Sequence, residues 1–213
     1  MQQKGLKTKL IFFDFDGVIV DTLDMAARII FEKNPFPDVV DHIRRVSEGN
    51  VTEQLRKLYA QGRFRWDPEF HIKYSEQLQL LLPVPGIAEM LRKMNSEHAL
   101  SIVSSSHTDP IRSFLETHNL HTHFEDIDGV DVHHKKTEKM SSQLGKRGLS
   151  THDSVFITDT LGDILEAHEL GIPAIGVTWG YHPAETLQKG NPHAIVNTPS
   201  EIITHILELF DRI

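Results

Sequence analysis

The segment from Asp14 to Gly17 holds the densest group of side chains that could do chemistry. Asp14 and Asp16 lie two positions apart after an apolar run, so both carboxylates can face one site, and Gly17 permits a tight turn close to a ligand. One carboxylate can attack phosphorus, while the other donates a proton to the leaving oxygen and later accepts one from water. A charged turn after a strand is the simpler alternative.

A second acidic group follows another apolar run. Asp163 lies four residues after Asp159, one helical turn on and on the same face. Carboxylates gathered at one place repel each other unless a cation holds them, and Mg²⁺ suits this role because it binds carboxylate oxygens and reaches the phosphate oxygens of a substrate. We expect Asp159 to bind Mg²⁺ directly and Asp163 to act through water or a lysine ammonium. Either residue alone could instead be a helix cap or a first-turn acid.

Hydroxyl and ammonium groups complete the set. Three consecutive serines, residues 104–106, follow an apolar run and precede a helix start, where hydroxyls and backbone N–H groups can hold an anion. Lys135 and Lys136 precede a helix expected from about residue 139 to 147, and one of the two could stabilise a transferring phosphoryl group. Considered separately, serine runs are ordinary loops, and lysines at the start of a helix are usually solvated.

The elements that must position these residues alternate between short apolar runs and helical stretches, which predicts an α/β fold with a parallel sheet. Near-continuous apolarity is what strands covered on both faces require. Because ligands bind outside the carboxyl ends of parallel strands, we expect Asp14, Ser104 and Asp159 at one edge of the sheet. The strand-like runs are residues 10–13, 99–103, 155–158 and 174–177, with a weaker one at 194–196.

Residues 23–83 interrupt this alternation, because they contain no strand-like run and are broken by Pro, Gly and Asn. We therefore predict two domains: a Rossmann-like α/β core formed by residues 1–22 and 84–213, and a small all-α insertion formed by residues 23–83. Further core helices are expected near residues 108–118, 161–170 and 200–210.

The composition excludes several classes of protein. The 213 residues are 39% hydrophobic and 24% charged, with a net charge of −8, so nucleic-acid binding is disfavoured. The absence of cysteine excludes disulfides, thiolate metal sites and cysteine nucleophiles. No apolar run approaches the roughly 20 residues that cross a bilayer, and no signal region is visible. We expect a cytoplasmic protein without membrane or nucleic-acid partners, as a monomer or homodimer.

In their order along the chain, these groups resemble the motifs of the haloacid dehalogenase-like superfamily. The motifs are Asp-Phe-Asp-Gly-Val at residues 14–18, Ser104 after a strand, a lysine, and the acidic segment 159–163. The first motif is highly specific, whereas the serine and the lysine are weak signals alone. The helical insertion is similar to the cap of the phosphoglycolate phosphatase and β-phosphoglucomutase branch.

The resemblance implies a role for each acidic residue. Asp14 would be the nucleophile and a ligand of Mg²⁺. Asp16 would be the acid/base, with its backbone carbonyl also meeting the metal. Asp159 would be a further metal ligand, and Asp163 would support the metal site as its partner.

The resemblance also implies which residues hold the phosphoryl group. Ser104 would bind the phosphoryl oxygens, and we place Ser105 and Gly17 in the same phosphate-binding group. Lys136 fits the lysine motif best because a short Thr-Glu-Lys run and a helix follow it, although Lys135 is adjacent and the proline that usually follows the lysine is missing.

The expected reaction is Mg²⁺-dependent hydrolysis of a small phosphorylated metabolite through an aspartyl-phosphate intermediate. An acid/base residue and a metal ligand favour phosphoryl transfer over dehalogenation, which in this superfamily needs neither. A sugar-phosphate mutase is the main alternative because it shares every core residue. A phosphonate hydrolase, which needs a cap lysine such as Lys33, Lys57 or Lys73 to form an imine, and a phosphoaccepting signalling module are less favoured.

Overall fold

The computed structural model describes residues 7–211. Within them, six parallel strands form one sheet in the order β3-β2-β1-β4-β5-β6. This confirms the predicted α/β fold with a parallel, Rossmann-like sheet. The strands are β1 (Leu10–Phe13), β2 (Ala99–Val103), β3 (Asp126–Asp128), β4 (Ser154–Thr158), β5 (Ala174–Val177) and β6 (Ala194–Val196).

Strand β3 is the one that the sequence did not reveal. It has only three residues, and two of them are acidic, so no apolar run marks it. The other five strands lie where predicted. The central strand β1 is fully buried because its residues alternate between two hydrophobic clusters: Ile11 and Phe13 pack on one face of the sheet, and Leu10 and Phe12 on the other.

Helices cover both faces of the sheet. After residue 84 they are α5 (Ile87–Asn95), α6 (Thr108–Thr117), α7 (Lys136–Arg147), α8 (Leu161–Glu169), α9 (Ala184–Gln188) and α10 (Pro199–Asp211). Helix α7 begins three residues earlier than predicted, since Lys135 has the extended backbone of a cap residue and no proline marks the start. None of the helices within residues 7–211 is both long and apolar enough to span a bilayer.

Between β1 and α5 the chain forms the helical insertion, which consists of α1 (Leu23–Lys33), α2 (Val39–Val46), α3 (Val51–Ala60) and α4 (Phe70–Leu78). The side chains of Asp38 and Asn50 cap α2 and α3 by accepting backbone N–H groups. The insertion leaves and rejoins the core at one place, where Val84 N–H donates to the carbonyl of Ile19 over 2.9 Å. Because this connection lies directly after the Asp14–Gly17 turn, the insertion is located next to that turn.

Candidate active site

Three strands deliver polar residues to one edge of the sheet, as expected. Strands β1 and β4 end level, because Phe13 pairs with Ile157 and Asp14 N–H donates to the Ile157 carbonyl over 2.9 Å. On the other side of β1, Phe13 pairs with Ile102, which places Ser104 beyond the end of β2. The register thus places Asp14, Ser104 and Asp159 at the same edge of the sheet.

Lys136 ties two of the carboxylates together. Its Nζ lies 2.6 Å from Asp14 Oδ2 and 2.6 Å from Asp163 Oδ2, and all three side chains are buried. The neighbouring Lys135 is exposed and instead pairs with the half-buried Glu53 of α3 at 3.0 Å. Lys136 is therefore the lysine that reaches the acidic cluster.

Burial and this ion pair oppose each other in setting the pKa values. Burial raises the pKa of Asp14 well above its usual value, although Lys136 acts to lower it. Burial also disfavours ionisation of Asp163, but Lys136 and the hydrogen bond from Thr158 bring its pKa below the usual value. Burial raises the pKa of Asp159 to about 7, against the lowering effect of the Tyr181 backbone N–H.

The acidic cluster fits a hard divalent cation. Oxygen atoms of Asp14, Asp159 and Asp163 lie within 4.8 Å of one another. Asp159 Oδ2 accepts the Tyr181 N–H at 2.7 Å, whereas its Oδ1 is buried with no hydrogen-bond partner among the described residues. An unpartnered buried carboxylate oxygen is costly unless a cation meets it. These oxygens are the ligand type that Mg²⁺ prefers.

Gly17 has a steric role beside this cluster. Its φ is 73°, and a Cβ at this position would overlap the carboxylate of Asp159. Glycine is therefore required both for the turn and for the close approach. The side chain of Asp16 is not one of the three clustered carboxylates, so the predicted contact between Asp16 and a metal depends on its backbone carbonyl.

The carboxylate of Asp16 is held by three hydroxyl groups. Thr22 Oγ1 and Tyr74 Oη donate to Oδ1 at 2.7 and 2.5 Å, and Ser106 Oγ donates to Oδ2 at 2.7 Å. Tyr181 extends this set, since its hydroxyl lies 2.9 Å from Thr22 Oγ1. Sequence reasoning missed these contacts: Ser106 stood in the serine run, but nothing marked Tyr74 in the insertion.

Hydrogen bonds within the serine run and from a second lysine, Lys139, hold the run in place. Ser104 is fully buried; its Oγ accepts the Ser106 N–H at 3.0 Å, and its carbonyl accepts from Lys139 Nζ at 2.5 Å. Burial lowers the pKa of Lys139 to about 8, with Lys136 contributing. Ser105 lines the cavity between the sheet edge and the helical insertion. Sequence reasoning missed Lys139, and the phosphate-binding role of Ser104 stays a prediction.

A cavity of about 580 Å³ lies between the sheet edge and the helical insertion. Its lining includes six residues of the predicted site, which are Asp14, Asp16, Ser105, Lys136, Asp159 and Asp163. The loop before α3 contacts the core at this level: Gly162 N–H donates to the Ser47 carbonyl at 3.0 Å, and a Cβ on Gly162 would overlap the Gly49 backbone. Asn50 Nδ2 also donates to Glu166 at 2.9 Å.

Comparison with known proteins agrees with this geometry. The model of the family described as "Haloacid dehalogenase-like hydrolase" matches residues 11–177. The chain is 25% identical to phosphoglycolate phosphatase of Synechococcus elongatus over 93% of this chain and 97% of that protein, and 25% identical to the Vibrio parahaemolyticus enzyme of that name over 92% and 94%.

Its fold is similar to that of a haloacid dehalogenase-like hydrolase from Streptococcus pneumoniae, with a TM-score of 0.75, 21% identity and coverage of 94% of this chain and 99% of that one. The family match spans most of the chain and ends at Val177, the last residue of β5. The chain therefore belongs to the haloacid dehalogenase-like hydrolases.

Proposed function

We propose that this hydrolase is an Mg²⁺-dependent phosphatase that cleaves a small phosphate monoester through a phospho-Asp14 intermediate. The observation that carries the proposal is the position of Lys136 Nζ, 2.6 Å from both Asp14 and Asp163, beside a buried oxygen of Asp159 that has no partner among the described residues. One ammonium does not balance the negative charge of three clustered carboxylates. A divalent cation can balance the rest, and its charge would also attract a phosphoryl group.

Asp14 attacks phosphorus in the first step. The new bond joins an Asp14 carboxylate oxygen to phosphorus, the ester P–O bond breaks, and Asp16 gives its proton to the departing alcohol oxygen. The Phe15 N–H and Lys136 donate to Oδ1 and Oδ2 of Asp14 at 2.7 and 2.6 Å, which fixes the carboxylate plane. Lys136 also places positive charge where the phosphoryl oxygens gather.

Water completes the reaction in the second step. Asp16, now ionised, accepts a proton from water as the water oxygen bonds to phosphorus, and the bond to Asp14 breaks to release inorganic phosphate. Asp14, Asp159 and Asp163 would hold Mg²⁺, with the backbone carbonyl of Asp16. When bound, this ion supplies the positive charge that offsets the phosphoryl oxygens.

Residues 23–83 act in this proposal as the cap that covers the site, and residues 1–22 and 84–213 act as the catalytic core. Hydrolysis is favoured over the mutase reaction because the relatives above are phosphatases by name. Phosphonate hydrolysis needs a neutral cap lysine, but Lys73 lies 2.5 Å from Glu32 and 2.9 Å from Asp67, and its hydrogen bonds to these carboxylates raise its pKa.

The test is phosphate release from a panel of monoesters, measured with Mg²⁺ and with EDTA. The enzyme should release inorganic phosphate only with Mg²⁺, and Asp14→Asn should lose essentially all turnover. Asp24→Asn, an exposed acid in the first turn of α1, should retain it. Normal turnover by Asp14→Asn would overturn the nucleophile assignment. An isomeric phosphate ester as the product would identify a mutase, and a stable phosphoprotein without turnover would identify a signalling module.

A further inference from the structure

We propose that the substrate is a phosphate monoester whose alcohol part is an apolar chain or ring, bound in the cavity of about 580 Å³ between the insertion and the sheet edge. This inference rests on the proposed phosphatase function and names the class of ester. It differs from what the names of the relatives suggest, because phosphoglycolate carries a second anionic group instead of an apolar one.

The wall that the insertion contributes to the cavity is mostly aliphatic and aromatic. Each of its elements supplies such side chains: Ile30 from α1, Ile43 from α2, Leu55 from α3, Phe64 from the following loop and Phe70 from α4. Ile43 and Phe64 are buried, and the other three are half-buried. A cavity of this size and lining matches sites for ligands much larger than a two-carbon acid.

This wall is continuous with the reacting groups. Asp14 and Asp16 line the same cavity as Ile30 and Leu55. A phosphoryl group at Asp14 would direct its leaving oxygen towards Asp16, and the alcohol part would extend from there into the apolar space. Tyr74 and Ser106 also line the cavity, and both donate hydrogen bonds to Asp16. They therefore lie between the reacting carboxylates at the sheet edge and the apolar wall formed by the insertion.

The charges around the cavity disfavour a second anion on the substrate. Asp67 and Asp131 belong to the lining. Asp67 is paired with Lys73 at 2.9 Å, so the carboxylate that would repel a second anion on the substrate is that of Asp131. Within residues 7–211, Arg56 is the one lysine or arginine of the lining besides Lys136; it is exposed, and its Nη2 lies 3.3 Å from His134 Nε2.

Burial lowers the pKa of His42, with Arg45 contributing, which leaves this lining imidazole neutral at pH 7. The remaining lining imidazoles are the exposed His71 and His107.

The first experiment measures binding without turnover. Ethylphosphonate, hexylphosphonate and phosphonoacetate are titrated calorimetrically into the wild-type enzyme with Mg²⁺. A fully buried methylene strengthens binding by about fourfold, so hexylphosphonate should bind at least about tenfold more tightly than ethylphosphonate. Its heat capacity of binding should be more negative, because apolar surface is buried. Phosphonoacetate should bind more weakly than ethylphosphonate.

The second experiment uses the matching esters. We expect kcat/KM to rise from ethyl phosphate to hexyl phosphate by at least about tenfold, with phosphoglycolate below both. Leu55→Arg should remove this chain-length dependence by lowering kcat/KM for hexyl phosphate towards that for ethyl phosphate. Leu55 is half-buried, so a charged replacement should be tolerated, and Leu55→Ser provides a milder second variant. Tyr59→Arg is the matched control, since Tyr59 lies one turn on in α3, is 55% exposed and does not line the cavity.

The outcomes separate this inference from the function on which it rests. Phosphate release with no dependence on chain length, or with phosphoglycolate preferred, overturns the apolar substrate and leaves the phosphatase intact. Loss of the chain-length effect in Tyr59→Arg as well as in Leu55→Arg also overturns it. No phosphate release from any ester overturns the phosphatase, and the phosphonate series then still decides whether the cavity binds apolar chains.

Discussion

The hydroxyl of Tyr74 lies 2.5 Å from Oδ1 of Asp16, so helix α4 of the insertion bonds the carboxylate to which we assign proton transfer. Thr22 and Ser106 donate to the same carboxylate at 2.7 Å each. An ionised carboxylate has about four acceptor positions, so about one remains for the leaving oxygen or for water. The orientation of Asp16 therefore depends on where the insertion stands relative to the core.

Replacing Tyr74 with Phe should impair proton transfer more than binding. Tyr74→Phe removes one donor to a charged group, and we expect kcat for an alkyl phosphate to fall by about tenfold. The loss should be smaller for p-nitrophenyl phosphate, because its leaving group needs no proton. Steady-state kinetics on the two esters measures the difference. Tyr59→Phe, at the exposed tyrosine of α3, should change neither, and an equal loss on both esters would contradict a positioning role for Tyr74.

Lys136 and Lys135 are adjacent but should respond differently to substitution. Lys136→Met leaves Asp14 and Asp163 buried without their cation, so the free energy of unfolding should fall by about 3–5 kcal/mol, and turnover should be lost. Lys135→Met breaks only an exposed pair with Glu53, which water and salt screen, so stability should hardly change. Urea denaturation at pH 7 compares the two variants. Equal losses would show that Lys136 has no special place in the cluster.

Magnesium should stabilise the folded enzyme through Asp159. A ligand that binds only the native state at a concentration 100 times its Kd raises the free energy of unfolding by about 2.7 kcal/mol. We expect the melting temperature to rise with Mg²⁺ and to fall back with EDTA. Asp159→Asn should abolish this rise without lowering the stability of the metal-free protein, because it removes a buried charge whose Oδ1 has no partner among the described residues. Asp24→Asn serves as the control, and a full Mg²⁺ response from Asp159→Asn would contradict the site.

Lys139 should make stability depend on pH in the alkaline range. Burial lowers its pKa to about 8 from the 10.5 expected in the unfolded chain. Between these two values the unfolded chain binds more protons than the folded one, so this lysine makes the folded state more stable as the pH rises. The full penalty for its buried charge is present below pH 8 and is relieved by about pH 10.5.

The difference in free energy of unfolding between wild type and Lys139→Met should therefore shift in favour of the wild type by about 3 kcal/mol from pH 7 to pH 10.5. Chemical denaturation of both proteins across this range measures the shift, and other titrating groups cancel in the comparison. A constant difference would mean that the Lys139 ammonium is not desolvated.

The sequence alone predicted most of the sheet, for a physical reason. Strands covered on both faces must be largely apolar, and five of the six described strands carry a near-continuous apolar run. Because parallel strands end at one edge, the polar residues after β1, β2 and β4 could also be assigned to one site from the order of the elements alone. Strand β3 escaped prediction because Asp126 and Asp128 flank its only apolar residue.

What the tertiary structure decided was which side chains face the site. Lys135 and Lys136 are equivalent in type and position, and only the docking of helix α7 turned Lys136 towards Asp14 and left Lys135 beside Glu53. Tyr74 lies 58 residues from Asp16 along the chain, so no local pattern linked them. The apolar wall of the cavity likewise exists only when four helices pack over the sheet edge. Local spacing fixes the type and order of the groups, whereas their direction depends on the packing of distant elements.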